Sequence, residues 1–356
     1  MDVPSTGHLR MTEMDDILFE KRGVAGFIAL NRPQALNALT HAMVVAMKAQ
    51  LDAWAADPGI SCVVVCGAGE RAFCAGGDIR AIAESGHAGT SYALDFWRDE
   101  YILNATIKHY PKPYVALMHG IVMGGGLGVS VHGNYRVVDE TALVAMPETG
   151  IGFFPDVGGS YFLSRCPGEI GMYLALTGAR LKTADALYAG VATHLVRAEN
   201  WPILVDALTQ GESPAELLSE IEVRPIPEAP LAKHRAIIDD IFCLPSVEEI
   251  LEALDEEGDE WTAATTATIR TKSPTSLKIA FREVREGKTL SFDDCMRMEF
   301  RISSRILAGH DFFEGVRAAI VDKDGAAKWR PATLGEVADD IVDAYFAPLG
   351  EKELPL

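Results

Sequence analysis

The sequence predicts an α/β protein with buried strands and a helical C-terminal part. Three observations carry this. Short apolar runs recur through the first 200 residues, stretches of helical periodicity separate them, and helical periodicity alone dominates toward the end. In order, residues 26–30 read as a strand, followed by a Pro33-Gln34 turn and a helix over about 40–56. Residues 61–66 form a continuous apolar run, the pattern of a strand covered on both faces. Residues 91–109 place Tyr92, Phe96, Ile102 and Ile107 near one face of a helix. Strands are then expected at 114–118, 135–138 and 143–145. After about Trp201 the character changes. Pro214, Pro225, Pro227 and Pro230 punctuate a linker-like stretch, and helices follow. The acidic run 248–260, with Asp255, Glu256, Glu257, Asp259 and Glu260, reads as a solvated helix end and loop.

Composition narrows the function. The 356 residues suit one large domain or two, and at 48% hydrophobic and 23% charged they support a sizeable core. Lys+Arg 32 against Asp+Glu 51 gives a net charge of -19, which argues against a nucleic-acid partner but not against a small anionic ligand. The six cysteines form no CxxC pair, so reduced thiols in a reducing compartment are expected. Cys62 and Cys66 bracket Val63-Val64-Val65 and read as core thiols rather than metal ligands. The N-terminus mixes Asp2, Asp15 and Asp16 and resembles neither a signal nor a transit peptide, so a cytoplasmic location is expected. Met11 serves as well as Met1 for a natural start. Residues 113–135 carry no fixed charge, yet Gly120, Gly124, Gly125, Gly126, Gly128 and Gly133 argue for a buried strand, a tight turn and a buried helix rather than a membrane span.

Two glycine-bearing turns follow predicted strands. The first is Phe73-Cys74-Ala75-Gly76-Gly77-Asp78-Ile79, the second His119-Gly120-Ile121-Val122-Met123-Gly124-Gly125-Gly126-Leu127-Gly128. A turn opening into a helix aims free N–H groups and the positive dipole end at a ligand, and small residues permit close approach. Two such turns suit a developing oxyanion. Neither matches a Walker loop or a Rossmann fingerprint. A third segment, Met146-Pro147-Glu148-Thr149-Gly150-Ile151-Gly152-Phe153-Phe154-Pro155-Asp156-Val157-Gly158-Gly159, holds two carboxylates in apolar surroundings, which pull carboxyl pKa values apart. Taken alone, Asp156 also reads as the cap of a helix beginning near Gly158, and Glu148 as the partner of a base such as Arg165.

In order and spacing these segments resemble the crotonase (enoyl-CoA hydratase/isomerase) superfamily, and within it the 3-hydroxyisobutyryl-CoA hydrolases. The resemblance begins at Ile28-Ala29-Leu30-Asn31-Arg32-Pro33 and Ala35-Leu36-Asn37-Ala38-Leu39, runs through the glycine turns and 146–159, and extends to Ser273-Pro274-Thr275-Ser276-Leu277-Lys278 and His310-Asp311-Phe312-Phe313-Glu314-Gly315-Val316-Arg317-Ala318. It implies a spiral of ββα units over 13–205 with a helical region over 206–356. It also implies a CoA thioester as substrate, with no metal or other cofactor. Carried over by position, Gly77 and Gly125 supply the oxyanion hole, and Leu36, Ala38, Ala75, Gly76 and Gly77 flank CoA. Glu148 and Asp156 are the implied catalytic acids and contact substrate together with Gly125. Glu100, in Arg98-Asp99-Glu100-Tyr101, matches a substrate-pocket acid; a solvated helix position is its plain alternative.

Enoyl-CoA hydratases usually carry a second glutamate two residues beyond the glycine triplet, where this chain has Gly128. Pro155-Asp156 stands where they tend to have Pro-Gly. The implied reaction is therefore hydrolysis of (S)-3-hydroxyisobutyryl-CoA in valine catabolism, with 3-hydroxypropionyl-CoA as a second candidate. An enoyl-CoA hydratase or isomerase of broader specificity and a catalytically silent CoA-sensing protein stay open, as do homo-oligomerisation and the role of Glu148 as base or nucleophile.

Overall fold

A computed structural model describes residues 16–356. The expected domain start at residue 13, and the choice between Met1 and Met11, lie outside the described residues. The chain divides into two compact units, each assembled from three stretches. The first comprises residues up to Asp78, Leu103–Val144 and Leu181–Ala229; the second comprises Ile79–Ile102, Ala145–Arg180 and Pro230–Leu356.

The first unit carries the strands: β1 (Ile17–Arg22), β2 (Ala25–Leu30), β3 (Cys62–Gly67), β4 (Ala72–Cys74), β5 (Tyr114–Met118), β6 (Ile121–Met123), β7 (Tyr135–Val138), β8 (Leu143–Ala145), β9 (Leu181–Lys182) and β10 (His194–Leu195). Six form a sheet in the order β1-β2-β3-β5-β7-β10, antiparallel only between β1 and β2. The order β4-β6-β8-β9 makes a smaller sheet. Alternate residues Phe27, Cys62, Val64, Val115, Leu117 and Val137 share one buried face with Trp201, Leu204, Leu208, Leu217 and Leu218. The period of two in the strands sends these side chains to one side, where the helices Trp201–Gln210 and Pro214–Ile221 cover them. Burying each large apolar side chain contributes about 1.5–3 kcal/mol.

The α/β class is as the sequence predicts, and its strands at 114–118, 135–138 and 143–145 keep those bounds. The helix expected over 40–56 is His41–Ala56, with the Thr40 side chain accepting from Met43 N–H as its N-cap. The fold adds β1 to the predicted strands; its residues are only partly buried because it is the edge of the sheet. One expectation is corrected. The linker-like stretch begins with a helix, Pro214–Ile221, because proline at the first helical position costs no hydrogen bond. Residues 113–135 hold β5, β6 and a one-turn helix, Gly125–Gly128. Among the described residues no helix is long and apolar enough to cross a membrane.

The second unit is mainly helical. Trp97 stacks on Phe153 at 5.3 Å between ring centroids, and Phe312 packs edgewise on Trp97, tying its three stretches together. The acidic run becomes the end of the helix Val247–Glu257, the Gly258 cap and the start of the helix Glu260–Ile269, with Asp259 capping the latter.

Candidate active site

The two glycine turns belong to the first unit and lie side by side. A Cβ on Gly76 would stand 3.4 Å from Met123 O and 3.7 Å from Gly125 N. Closer still, a Cβ on Gly126 would fall 2.3 Å from Cys74 O, so only glycine allows the helix Gly125–Gly128 to rest on the end of β4. Gly125 opens that helix, so its N–H has no acceptor within it. Gly77 forms a lone parallel bridge with Leu39, in which Leu39 N–H donates to Gly76 O and Asp78 N–H to Leu39 O, leaving the Gly77 N–H outside the bridge. Both geometries suit backbone donors aimed at an anionic oxygen.

The segment 36–39 is fastened to the first turn, for Ala75 N–H donates to Leu36 O at 3.0 Å. Leu36 and Asn37 are both left-handed, at φ +52° and +57°. Buried Asn37 holds that shape: its amide donates to Ala68 O and Ala72 O, and its oxygen accepts from Arg32 N–H. Arg32 adds a bond to Ala38 O and an ion pair with Asp78. The fold thus places Leu36, Ala38, Ala75, Gly76 and Gly77 together. The sequence reading had missed the anchoring role of Asn37.

The second unit holds the acids. Glu148 begins the short helix Glu148–Ile151, which ends at Gly152 with φ +69°. A Cβ on Gly152 would collide with Asp311 O at 2.1 Å, so glycine is required to turn the chain toward Asp156. Glu100 lies on the helix Tyr92–Lys108. Glu100, Glu148 and Asp156 are 2%, 7% and 6% exposed. Neither plain alternative for the loop acids holds. Asp156 accepts the Tyr101 hydroxyl at 2.9 Å and does not cap the helix Gly159–Leu163. Arg165 is spent on the carbonyls of Tyr161, Gly287 and Leu290. Glu100 is not a solvated helix position.

Two further acids join them, Glu283 on the helix Pro274–Gly287 and Glu299 on the helix Phe292–Ile306, both with no exposed surface. Glu299 is well served by donors: Gly158 N–H, Ser160 N–H and the Ser160 hydroxyl, at 2.7, 3.0 and 2.5 Å. Both Glu283 oxygens, Glu100 Oε1 and Glu148 Oε2 are buried with no hydrogen-bond partner among the described residues.

Such a cluster cannot ionise fully. Burial, and then the nearby Asp156 carboxylate, hold Glu148 well above the usual carboxyl range. Burial, Asp156 and Glu148 do the same to Glu100. Burial pushes Asp156 up to about 7, the Tyr101 hydroxyl pulling the other way. Burial lifts Glu299 to about 8 against the pull of its donors, and Glu283, lacking donors, is held well above the ordinary value by burial and then by Glu299, Asp156 and Glu148. The Asp156 charge thus acts on each of the other four acids, Glu100, Glu148, Glu283 and Glu299. They can bind a polar acyl group, hold a proton at neutral pH and activate water.

No group of three or more His, Cys, Asp or Glu side chains among the described residues has the arrangement of a metal site. All six cysteines are free, and burial pushes the Cys66 thiol up to about 11, as a core thiol requires.

Residues 25–346 match the family described as enoyl-CoA hydratase/isomerase. The mitochondrial 3-hydroxyisobutyryl-CoA hydrolase of Xenopus tropicalis is 48% identical over 98% of this chain and 94% of its own length. The Homo sapiens protein of the same name is 45% identical over 98% and 93%. Among solved structures, a carnitinyl-CoA dehydratase from Mycobacterium thermoresistibile is 45% identical, with a TM-score of 0.91 and coverage of 96% of this chain and 99% of that one. An enoyl-CoA hydratase from Rhodobacter sphaeroides is 39% identical, with a TM-score of 0.90 and coverage of 96% and 100%. The expected cytoplasmic location is corrected by these comparisons, since the curated relatives are mitochondrial enzymes. Free thiols speak against an oxidising compartment but do not distinguish one reducing compartment from another. With the family matched over most of its length, the chain belongs to the enoyl-CoA hydratase/isomerase family, the crotonase superfamily.

Proposed function

We propose that this chain is a 3-hydroxyisobutyryl-CoA hydrolase of valine catabolism, cleaving the thioester to 3-hydroxyisobutyrate and CoA. The observation that carries the reading is the pairing of Glu148 with Asp156. Both are buried and raised, while buried Gly128 stands where a hydratase uses its second glutamate. The relatives named as this hydrolase support the same substrate.

In this reading Gly77 and Gly125 N–H groups donate to the thioester oxygen as negative charge grows on it, and the 36–38 and 75–77 backbones flank CoA. Glu148 either takes a proton from water or attacks the carbonyl carbon to give a mixed anhydride that water then opens. A C–O bond forms, the C–S bond breaks, and the proton passes to the departing thiolate. Asp156 orients the acyl group or water and assists that transfer. Glu100 hydrogen-bonds the substrate hydroxyl. Thiolate leaves readily, so the reading assigns no metal or further cofactor; CoA is part of the substrate.

Hydratase chemistry is the second reading, favoured by the names of the two similar solved structures. One experiment decides between them. Purified protein is given 3-hydroxyisobutyryl-CoA and crotonyl-CoA separately, with free thiol and enoyl absorbance followed. Rapid thiol release from the first and little loss of enoyl absorbance from the second is expected. Efficient hydration without thiol release would replace hydrolase by hydratase.

A further inference from the structure

Val157 stands between Asp156 and Gly158 with φ +52°, completely buried, and Gly158 follows at φ +86°. A left-handed conformation at a β-branched residue costs about 1–3 kcal/mol, so the flanking structure must hold it. On the upstream side the Tyr101 hydroxyl grips the Asp156 carboxylate. On the downstream side the grip is Glu299. Its Oε2 accepts from Gly158 N–H, and its Oε1 accepts from both donors of Ser160. Glu299 reaches this turn from a helix about 140 residues further along the chain. A structural carboxylate with no other duty would be replaceable by apolar packing, and burying one is costly. Here all three of its hydrogen bonds converge on the turn that presents a catalytic acid.

We propose that Glu299 is a positioning residue: by holding Gly158 and Ser160 it keeps Val157 left-handed and so fixes where the Asp156 carboxylate stands. The proposal rests on the hydrolase reading for the role of Asp156. Glutamine at 299 would keep one acceptor oxygen and turn an amide donor toward an N–H that can only donate. The turn would then relax, and a displacement of about 1 Å at a catalytic group costs about 10²-fold in rate.

The test is a double-mutant cycle on kcat and KM, with Glu299→Gln, Asp156→Asn and the pair. Glu299→Gln should lower kcat by about 10–100-fold with KM within about threefold of wild type. Because Glu299 acts through Asp156, the pair should be no slower than Asp156→Asn alone. Multiplying effects, or an unchanged kcat for Glu299→Gln, would overturn the proposal. Should that variant fail to fold, Ser160→Ala removes one of the three bonds and runs the same cycle. Amide hydrogen exchange at Gly158 and Ser160 is read without substrate and should quicken about tenfold or more in Glu299→Gln; unchanged exchange also overturns the clamp. If the wild-type chain hydrates crotonyl-CoA and releases no thiol, the hydrolase reading fails, and the cycle and the exchange are then judged on hydration.

Discussion

The glycine turns and the acid cluster solve opposite problems. In the first unit the working groups are backbone N–H donors, and their exactness comes from missing side chains. In the second, five carboxyls are driven into an apolar interior and resist ionisation. A backbone donor does not titrate, and any substitution short of proline displaces it rather than removing it. A buried acid can be removed outright and carries its activity through a pH window. The two regions therefore fail differently when disturbed.

The largest failure is expected on the acid side. Glu148→Ala should lower kcat for thioester hydrolysis by about 10²–10⁴-fold while KM changes little. Stopped-flow thiol detection on the purified variant measures this, and near-wild-type turnover would remove Glu148 from the mechanism. The corresponding injury to the backbone side is Gly126→Ala. Its new Cβ meets Cys74 O, a backbone atom that cannot swing away, so the Gly125 N–H must shift. A misplaced oxyanion donor should cost about 10²-fold in kcat. The shape of the pH profile should be unchanged, because no titrating group has been touched.

The pH profile sharpens the contrast. Glu148 must lose a proton to act, and both burial and the Asp156 carboxylate raise its pKa. Asp156 itself is pushed up to about 7. Raised carboxyls ionise only as pH climbs, so kcat/KM should fall by roughly tenfold per pH unit on an acid limb that breaks above the ordinary carboxyl range. Asp156→Asn removes the neighbouring negative charge, which lowers the Glu148 pKa and moves that acid limb to lower pH, at a reduced plateau. A flat profile between pH 5 and pH 8 would show that the rate does not depend on these ionisations.

How much of this was legible follows from what each feature depends on. The strand 114–118 announces itself as an apolar run, and the order of the glycine turns and loop acids carries the family. Glu100, Glu148 and Asp156 came from that resemblance, and the fold brings them together. Glu283 and Glu299 were missed, though a signal existed. Glu283 falls between Ile279, Ala280 and Val284 on the buried face of its helix, and Glu299 between Cys295, Phe300 and Ser303 on its own. A charged residue at an apolar position of a helical repeat marks a buried acid. Tyr101 carries no sequence signal for its bond to Asp156, which lies 55 residues away. The left-handed Val157 has no sequence signal, because valine ordinarily disfavours that conformation and tertiary bonds impose it. Compartment is not legible, because N-terminal composition and free thiols do not specify an address.

The smallest effect isolates the cost of the acid cluster from its use. Glu283 is fully buried, neither oxygen has a hydrogen-bond partner among the described residues, and burial followed by Glu299, Asp156 and Glu148 raises its pKa. A carboxyl that holds its proton more tightly folded than unfolded contributes stability below the unfolded pKa. That contribution is lost as pH rises through the folded value. The loss begins at the ordinary carboxyl value of 4.5 and continues well above that pH. Glu283→Gln keeps the shape and removes the titration. The variant should melt close to wild type at pH 4.5 and increasingly above it as pH rises, by a few degrees at pH 8.5, since about 1 kcal/mol moves Tm by roughly 2 °C in large domains. Thermal melts across that range measure the difference. A constant offset would mean that Glu283 never feels its neighbours' charge, and the five acids would then not act as one cluster.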